Sequence, residues 1–369
     1  MPATIAPVRT AIVSDLHLGS LAGVDVVRRR EPQERLLAAL EGSERVVLLG
    51  DTLELREHPL AQALEIARPL LERLGRVSAG RRLVIVPGNH DYQLAEPFLA
   101  RQRLLGVPLQ AENEWPVRPG DGAAGRLAQL MPDTELILAY PGLRLRPDVY
   151  ATHGHYLDVH LTAPRLEAVA AGAMALLTSR TRDCRSVDDY EAVMSPLYAF
   201  LARLAEGSPP ERLQRGGSLS RTVWKRLNAT HGNDRLGRLL LGKVAIPGAV
   251  AALNLAGLGP LAPEITGERL RRAGLRSMAR VVEGMGVRAD HVLFGHTHRG
   301  GPWPEDDLGE WRTASGTRLW NTGSWLREAA FLGERPHESP YWPGTVVQLS
   351  DSGEPELRNV MREVSLAGL

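Results

Sequence analysis

Short apolar runs alternate with amphipathic stretches in the N-terminal part of the chain. Residues 10–14, 45–49 and 83–86 are rich in β-branched side chains and have the length of buried strands. Between them, residues 32–40 and 60–74 carry apolar side chains at helical spacing. This alternation of strand and helix predicts an α/β protein, in which parallel strands are joined by right-handed crossovers.

Further strand patterns lie near the C-terminal end of the sequence. Alternation in residues 311–321, around Ser315 and Gly316, predicts a hairpin. Residues 345–349 and 357–364 predict a final pair of strands, which we expect to close a second sheet.

Side chains that can bind metal follow five short apolar runs, at the point where each run ends. They are Asp15, His17, Asp51, Asn89, His90, Asp91, His153, His296 and His298. Ligand sites of such sheets lie beyond the carboxyl ends of the strands, so we expect these side chains to meet there. Residues two apart on an extended segment point the same way. Asp15 with His17, and His296 with His298, can therefore each converge on one point.

This donor set indicates a pair of transition-metal ions. Carboxylate, imidazole and amide donors suit Mn, Fe, Zn or Ni better than Ca. Seven candidate ligands are too many for one tetrahedral ion and suit two ions about 3.5–4 Å apart that share a carboxylate. Asp51 is the natural bridge, because it stands alone between two paired motifs. Each motif taken alone is also typical of a turn, a helix cap or a surface loop. These structural explanations do not account for five such motifs at strand ends in one chain.

Together the motifs resemble the signature of the calcineurin-like metallophosphoesterases. The matching residues are Asp15-x-His17, Gly50-Asp51, Gly88-Asn89-His90-Asp91, His153 and Gly295-His296-x-His298, in the family's order. The resemblance covers residues about 9–154 and 286–325. It implies a four-layer αββα sandwich, in which two β-sheets are flanked by helices. It also implies one metal held by Asp15, His17, Asp51 and His298, and another held by Asp51, Asn89, His153 and His296.

The activity implied by the resemblance is hydrolysis of a phosphate ester or diphosphate, by attack of a hydroxide that bridges two divalent ions. Mn is the first expectation, and Fe, Zn or Ni would suit the same donors. His90 has no metal role, so we expect it to stabilise the transition state or to protonate the leaving oxygen. Asp91 is expected to orient His90. The alternatives are a structural role for His90 and a helix cap for Asp91.

A long insertion separates the fourth and fifth motifs. Residues 155–285 predict a mostly helical cap, with residues 1–154 and 286–369 as the two parts of the metallophosphoesterase core. Helical patterns occupy residues 164–177, 187–204 and 268–285 of the insertion.

The most apolar part of the insertion is residues 244–263, which carry no charge. Their length suits a membrane span, but Pro247, Asn254 and several glycines dilute the apolar character. A buried cap core and a lipid-facing surface are the alternatives.

The substrate is predicted only as a class. The chain is similar to the UDP-2,3-diacylglucosamine pyrophosphohydrolases in residues 14–19, in Gly50-Asp51-x-x-Glu54 and in residues 295–299, which favours a lipid-linked or other hydrophobic phosphoester. It departs from them in its longer insertion and in His155, where those enzymes carry an acidic residue. His155, Asp158 and Arg299 are candidate substrate contacts. A polar helix start and a solvated arginine are the alternatives.

Composition excludes some classes of partner. The 369 residues allow one large domain or two, and the net charge of +1 provides no general basic field for nucleic acid. Cys184 is the single cysteine, so an intramolecular disulfide and a Cys-rich metal site are excluded.

The N-terminal residues lack the pattern of a signal peptide, which favours the cytoplasm. Peripheral membrane contact through the cap is a further expectation.

Two other functional classes fit part of the pattern. A metal-dependent nuclease of the double-strand-break repair type shares the Ser-Asp-x-His-Leu-Gly opening, but backbone binding favours a basic stripe that this chain lacks. A non-catalytic scaffold of the same fold would be expected to have lost ligands, whereas every ligand position is filled here.

Overall fold

The computed structural model describes residues 10–161, 183–207 and 267–365. Contacts divide the chain into two compact units. The first comprises Met1–His155, Ala202–Glu206 and Val287–Leu369, and the second comprises Tyr156–Leu201 and Gly207–Gly286. Whether the second unit acts as a cap stays a prediction.

The N-terminal part contains the predicted alternation of strands and helices. In chain order its elements are β1 (Thr10–Val13), α1 (Arg30–Leu40), β2 (Arg45–Leu48), α2 (Leu60–Val77), β3 (Arg82–Ile85), α3 (Glu96–Leu105), β4 (Glu112–Pro116), α4 (Gly122–Ala128), β5 (Glu135–Arg146) and β6 (Val149–Thr152). The strands and helices predicted for residues 10–86 are confirmed, with small differences at their ends. Asp15, Asp51 and Asn89 lie two, three and four residues after the ends of β1, β2 and β3.

The remaining described elements follow the insertion point. They are α5 (Val187–Gly207), α6 (Gly267–Gly284), β7 (His291–Phe294), β8 (Gly300–Gly301), β9 (Arg318–Thr322), α7 (Ala329–Leu332), β10 (Thr345–Leu349) and β11 (Glu356–Asn359). Helices α5 and α6 confirm two of the predicted helical patterns. The pattern at residues 164–177 and the apolar run at 244–263 lie outside the described residues. None of the helices in the described ranges combines the length and apolar character that a membrane span requires.

Strand register brings the functional loops to one edge of the sheet. β1, β2, β3 and β5 are parallel neighbours, and Val13 pairs with Leu48, which in turn pairs with Ile85. The carboxyl ends of these strands are therefore level with one another. The loops that start with Ser14, Leu49 and Val86 leave the sheet side by side, as the sequence predicts.

Strand β5 joins the two halves of the sheet. Its first residues pair with β3 and its last residues with β6, so the strands run in the order β11-β10-β1-β2-β3-β5-β6-β7-β9-β8, with β4 on β5. The mixed α/β fold is thus built on one continuous hydrogen-bonded sheet. A Cβ at Gly142 would lie 2.3 Å from the Tyr150 hydroxyl, so this part of β5 requires glycine.

Alternate residues of the strands face two different cores. Ile12, Val47 and Val84 share a buried cluster with Ala151 and Leu293 from the other half of the sheet. The sheet therefore folds onto itself over this inner core. The intervening residues of β1–β3 pack in a second cluster with apolar residues of α1 and α2, as the period of two in a strand requires.

One expectation for the C-terminal strands is corrected. β10 pairs antiparallel with β1 and with β11, so this strand pair extends the β1 edge and does not close the second half of the sheet. The predicted hairpin is confirmed: Arg312 bridges Arg318, and the amides of Thr313 and Leu319 donate to the carbonyls of Thr317 at 2.9 Å and Trp311 at 2.8 Å around the turn at Gly316. Alternation identifies a strand, but it carries no information about which neighbour the strand pairs with.

Candidate metal centre

The predicted ligands lie on loops with an uncommon backbone conformation. Among the described residues, the non-glycine residues with positive φ are Asp15, His17, Asp51, His296 and His298, with φ between 43° and 66°. Each such residue costs of order 1–3 kcal/mol and persists only where the surrounding structure imposes it. All of them were selected from the sequence as metal ligands. The strain is therefore concentrated at the predicted site.

Backbone hydrogen bonds between the loops impose this conformation. The amide of Asp15 donates to the carbonyl of Gly50 at 3.0 Å, and the amide of His17 donates to the carbonyl of Asp51 at 2.8 Å. The carbonyl of Asp15 in turn accepts from the amide of Trp325 at 3.0 Å. Backbone hydrogen bonds alone therefore fix the loop after β1 relative to the loop after β2.

One group of donors consists of Asp15, His17 and His298, whose donor atoms lie within 4.8 Å of one another. Asp15 Oδ1 lies 3.4 Å from His298 Nε2 and 3.9 Å from His17 Nε2. Asp15 Oδ1 and His17 Nε2 are buried and, within the described part of the chain, have no hydrogen-bond partner. Buried polar atoms without partners are costly. Two such atoms facing each other fit a cation between them.

A second group consists of Asp51, His153 and His296. His153 Nδ1 lies 3.0 Å from the carbonyl oxygen of Leu49, so Nδ1 donates, and in the neutral ring Nε2 carries the lone pair. His153 Nε2 lies 3.2 Å from Asp51 Oδ2 and 3.3 Å from Asn89 Oδ1. A backbone acceptor that fixes the tautomer of a histidine is a common feature of metal-binding imidazoles.

Asp51 belongs to the second group and also lies close to a member of the first. Its Oδ2 lies 3.5 Å from His17 Nε2 and 3.2 Å from His153 Nε2, while its Oδ1 accepts from the amide of His90 at 2.8 Å. The residues of both groups could bind metal, and carboxylate, imidazole and amide oxygen together suit a transition-metal ion.

Two glycines give the ligands the space they need. A Cβ at Gly88 would lie 2.3 Å from Asp51 Oδ1, and a Cβ at Gly50 would lie 2.1 Å from His153 Nδ1. Gly50 also has a φ of +87°. The glycine before Asp51 and the glycine before Asn89 are therefore required by the close approach of these side chains.

His90 is held by a residue that the sequence analysis gave no role. Its Nδ1 lies 2.7 and 2.8 Å from the two carboxylate oxygens of Glu54, and its Nε2 lies 3.2 Å from an Arg56 nitrogen. Glu54 Oε2 also lies 3.0 Å from Nδ1 of His17. Glu54 thus connects a predicted ligand to the predicted catalytic histidine. The signal available in the sequence was the acidic residue three positions after Asp51.

The Asp91 carboxylate makes its hydrogen bonds to backbone amides, and its role in orienting His90 stays a prediction. The buried carboxylate accepts from the backbone amides of Gly88 and Thr52, both at 2.7 Å, and of Leu53 at 3.3 Å. It also makes no side-chain cap to the short 3-10 helix Tyr92–Leu94. Asp91 therefore joins the second and third loops, because backbone amides in this enclosed place need an acceptor.

The carboxylates and imidazoles stabilise one another's charged forms. Burial disfavours the charged form of Asp51, but the charges of His153 and His90 hold its pKa well below the ordinary value. Burial likewise opposes charge on His153, but Asp51 raises the pKa of that imidazole to about 9. Asp15 and Glu54 also have lowered pKa values, since their contacts with histidines outweigh burial. The pKa of His17 is raised well above its usual value, since contacts with Asp15 and Glu54 outweigh its burial.

The pKa values of His90 and Asp91 are shifted in the direction that favours the neutral forms, unlike those of the carboxylates and imidazoles described above. Burial lowers the pKa of His90, despite the nearby charges of Glu54 and Asp51. Burial, together with the charge of Asp51, raises the pKa of Asp91 to about 6. In either protonation state the His90 ring can donate from Nδ1 to Glu54.

The three candidate substrate contacts are all buried. His155 Nε2 lies 3.1 Å from the Tyr140 hydroxyl, and Asp158 belongs to the 3-10 helix His155–Val159. Arg299 makes an ion pair with Asp306, so its guanidinium is occupied within the protein. These positions do not favour contact with a phosphate, and the substrate role of the three residues stays a prediction.

An α/β fold with carboxylates and imidazoles gathered at its strand ends is the arrangement of a metal-binding hydrolase. The chain belongs to the calcineurin-like phosphoesterase family, whose model matches residues 8–194. No curated protein matches the sequence. The family match ends before His296 and His298, and the fold brings these two histidines to the residues that it covers. Family membership implies a phosphoesterase, and the family typically uses divalent metals.

Proposed function

We propose that the protein is a dinuclear-metal-dependent phosphoesterase that hydrolyses a phosphate ester or a diphosphate. The observation that carries this proposal is the position of Asp51, with one carboxylate oxygen 3.5 Å from His17 Nε2 and 3.2 Å from His153 Nε2. A carboxylate oxygen between imidazoles of two donor groups is what a pair of ions with a shared ligand needs.

The residues fit two ions, with Mn as the first expectation. One ion would be held by Asp15, His17, Asp51 and His298, and the other by Asp51, Asn89, His153 and His296. Support comes from the unpartnered atoms Asp15 Oδ1 and His17 Nε2, which a cation would satisfy. When bound, two divalent ions supply a hydroxide near neutral pH and neutralise the phosphoryl oxygens.

His90 is the residue proposed to handle the proton of the leaving group. Its side chain is 23% exposed, whereas that of Glu54 is 3% exposed, so the imidazole is the more accessible member of the pair. Glu54 accepts from Nδ1, so the form that would give a proton to a leaving oxygen is the imidazolium, whose second proton is on Nε2. Arg56, 3.2 Å from Nε2, adds positive charge on this side and suits an anionic substrate.

The leaving group is proposed as hydrophobic or lipid-linked on the basis of the sequence alone, because residues 244–263 lie outside the described residues. A panel of substrates tests this part of the proposal. It contains a chromogenic monoester, a diester, a lipid-linked diphosphate and a plain nucleotide diphosphate sugar. Preference for the lipid-linked diphosphate supports the proposal, and salt-sensitive cleavage of DNA would favour the nuclease alternative.

Asp51→Ala tests the dinuclear centre itself. We expect wild-type protein to retain two Mn²⁺ ions per chain after dialysis and the variant to lose both, with turnover reduced to background. Asp148→Ala is the control, because Asp148 pairs with Arg146 beside β6 and is not one of the proposed ligands. Full metal content in Asp51→Ala would contradict the proposal, and a wild-type protein that binds no metal would favour the scaffold alternative.

A further inference from the structure

The residue that follows His298 is a buried arginine. The Arg299 side chain is 10% exposed, and its partner Asp306 is 2% exposed. Two parallel contacts join the guanidinium to the carboxylate, with Nη2 2.5 Å from Oδ1 and Nη1 3.1 Å from Oδ2. A pair with two such contacts fixes the orientation of the guanidinium as well as its distance from the carboxylate, because the guanidinium is planar and rigid.

Other contacts fix the guanidinium on its remaining sides. Arg299 Nη1 donates to the carbonyl of Gly300 at 3.1 Å, and Cζ lies 5.3 Å from the centre of a Trp311 ring. A Cβ at Gly301 would lie 2.6 Å from Nη1 and 2.5 Å from the Trp311 ring. The guanidinium is thus enclosed between backbone and an aromatic face, so it holds the backbone around it in place.

His298 lies between two fixed points of the backbone. On one side, the Asn321 amide donates to the carbonyl of Gly295 at 3.0 Å and to Oγ1 of Thr297 at 2.9 Å. On the other side, the contacts of Arg299 hold Gly300, which also pairs with Thr322 of β9. His298 has a φ of +61°, an uncommon conformation that persists only where contacts on both sides hold the backbone in place.

The His298 side chain is less enclosed than two of the other proposed ligand histidines. It is 23% exposed, compared with 5% for His17 and 0% for His153. Its Nδ1 lies 3.7 Å from Glu328, and its ring contacts His17 edge-on. Less packing surrounds this ring, so its approach to Asp15 also depends on the conformation of the chain.

We infer that Arg299 is a positioning residue, whose ion pair with Asp306 fixes the left-handed backbone at His298 and so directs that imidazole to Asp15. The inference rests on the proposed function, in which His298 is a ligand. It replaces the expectation that Arg299 contacts the substrate phosphate. A residue in this role acts on one of the two metal positions and leaves the other intact.

Arg299→Met is the test, with Mn²⁺ binding measured by calorimetry and by the coupled-spin signal of paired Mn²⁺ in electron paramagnetic resonance. We expect one site to weaken by about 10–100-fold, as when the support of a metal ligand is removed. The coupled signal should be replaced by that of isolated Mn²⁺, as we expect for His298→Ala. Arg146→Met is the matched control. Arg146 also pairs with an aspartate at two points, 2.6 and 2.7 Å, outside the centre, so both sites should bind normally.

A second variant separates positioning from a general loss of stability. Arg299→Met leaves the buried carboxylate of Asp306 without its guanidinium, which alone can destabilise the fold. In Arg299→Met/Asp306→Asn that charge is removed, so we expect the melting temperature to rise towards wild type while the affected metal site stays weak. Recovery of both properties in the double variant would overturn the inference, as would two normal sites in Arg299→Met. Wild-type protein with fewer than two sites would overturn the proposed function, and the inference with it.

Discussion

Replacing Glu54 with glutamine changes a carboxylate that two imidazoles share. Glu54 Oε2 lies 3.0 Å from Nδ1 of His17 and 2.7 Å from Nδ1 of His90. A carboxylate can accept from both rings, whereas a glutamine amide offers one acceptor oxygen and one donor group. Both rings contact Oε2, so in Glu54→Gln a single amide oxygen can still accept from both, but the negative charge that strengthens the two contacts is lost.

The size of the effect follows from the strength of these contacts. A hydrogen bond to a charged group contributes about 1.5–3 kcal/mol, and about 1.4 kcal/mol corresponds to a factor of ten in rate. Weakening of the contact to His90 should thus lower kcat by up to about 10–100-fold. Weakening of the contact to His17 should lower the affinity of one metal site by up to a similar factor.

The assay compares kcat at saturating Mn²⁺ in Glu54→Gln, His90→Ala and the double variant. We expect the double variant to be little slower than His90→Ala, because in kcat Glu54 acts through His90. Glu57→Gln is the control. Its carboxylate, in the same loop, accepts from the backbone amide of Leu21 at 2.7 Å, and a glutamine oxygen can replace it there.

Two results would refute this reasoning. Full turnover and normal metal affinity in Glu54→Gln would show that the shared carboxylate is dispensable. Strict multiplication of the two single effects on kcat in the double variant would show that Glu54 and His90 act independently. Either result would remove the assignment of Glu54 as the residue that orients His90.

Two further predictions concern the loops around the ligands. Asp91→Ala removes the acceptor from the buried amides of Gly88, Thr52 and Leu53, so we expect the free energy of unfolding in urea to fall by about 3–5 kcal/mol. Unchanged stability together with lost turnover would favour the predicted catalytic role of Asp91. Gly88→Ala places a Cβ 2.3 Å from Asp51 Oδ1, so we expect Mn²⁺ affinity to fall about 10-fold or more in calorimetry, although every ligand remains. Normal affinity in Gly88→Ala would show that this loop tolerates displacement.

The position of the candidate centre could be predicted because the proposed ligands follow strand ends. Parallel strands in register place Asp15 and Asp51 at one edge. The sequence also pairs His17 with Asp15, but on the assumption of an extended segment, whereas both residues have positive φ and meet through the conformation of their loop. The positive φ of these residues could not be predicted, since it arises from hydrogen bonds between loops.

The roles of the supporting residues required the structure. Asp91 is next to His90 in sequence, yet its carboxylate turns to backbone amides, while Glu54 contacts His90 from a loop far away in the chain. Arg299 follows the proposed ligand His298 and has the charge of a phosphate contact, but it is paired with Asp306. The sequence shows which residues have the charge or donor atoms for a functional role, and tertiary contacts determine which groups they bind.

The most direct test of the dinuclear assignment is the initial rate of phosphoester hydrolysis by metal-stripped protein, measured as Mn²⁺ is added back. We predict no turnover without metal, and a rate that rises until two equivalents of Mn²⁺ are bound. A single bound equivalent should give little activity, because the shared position of Asp51 matters only when both groups are filled. Full turnover by the metal-stripped protein, or saturation at one equivalent, would contradict the account.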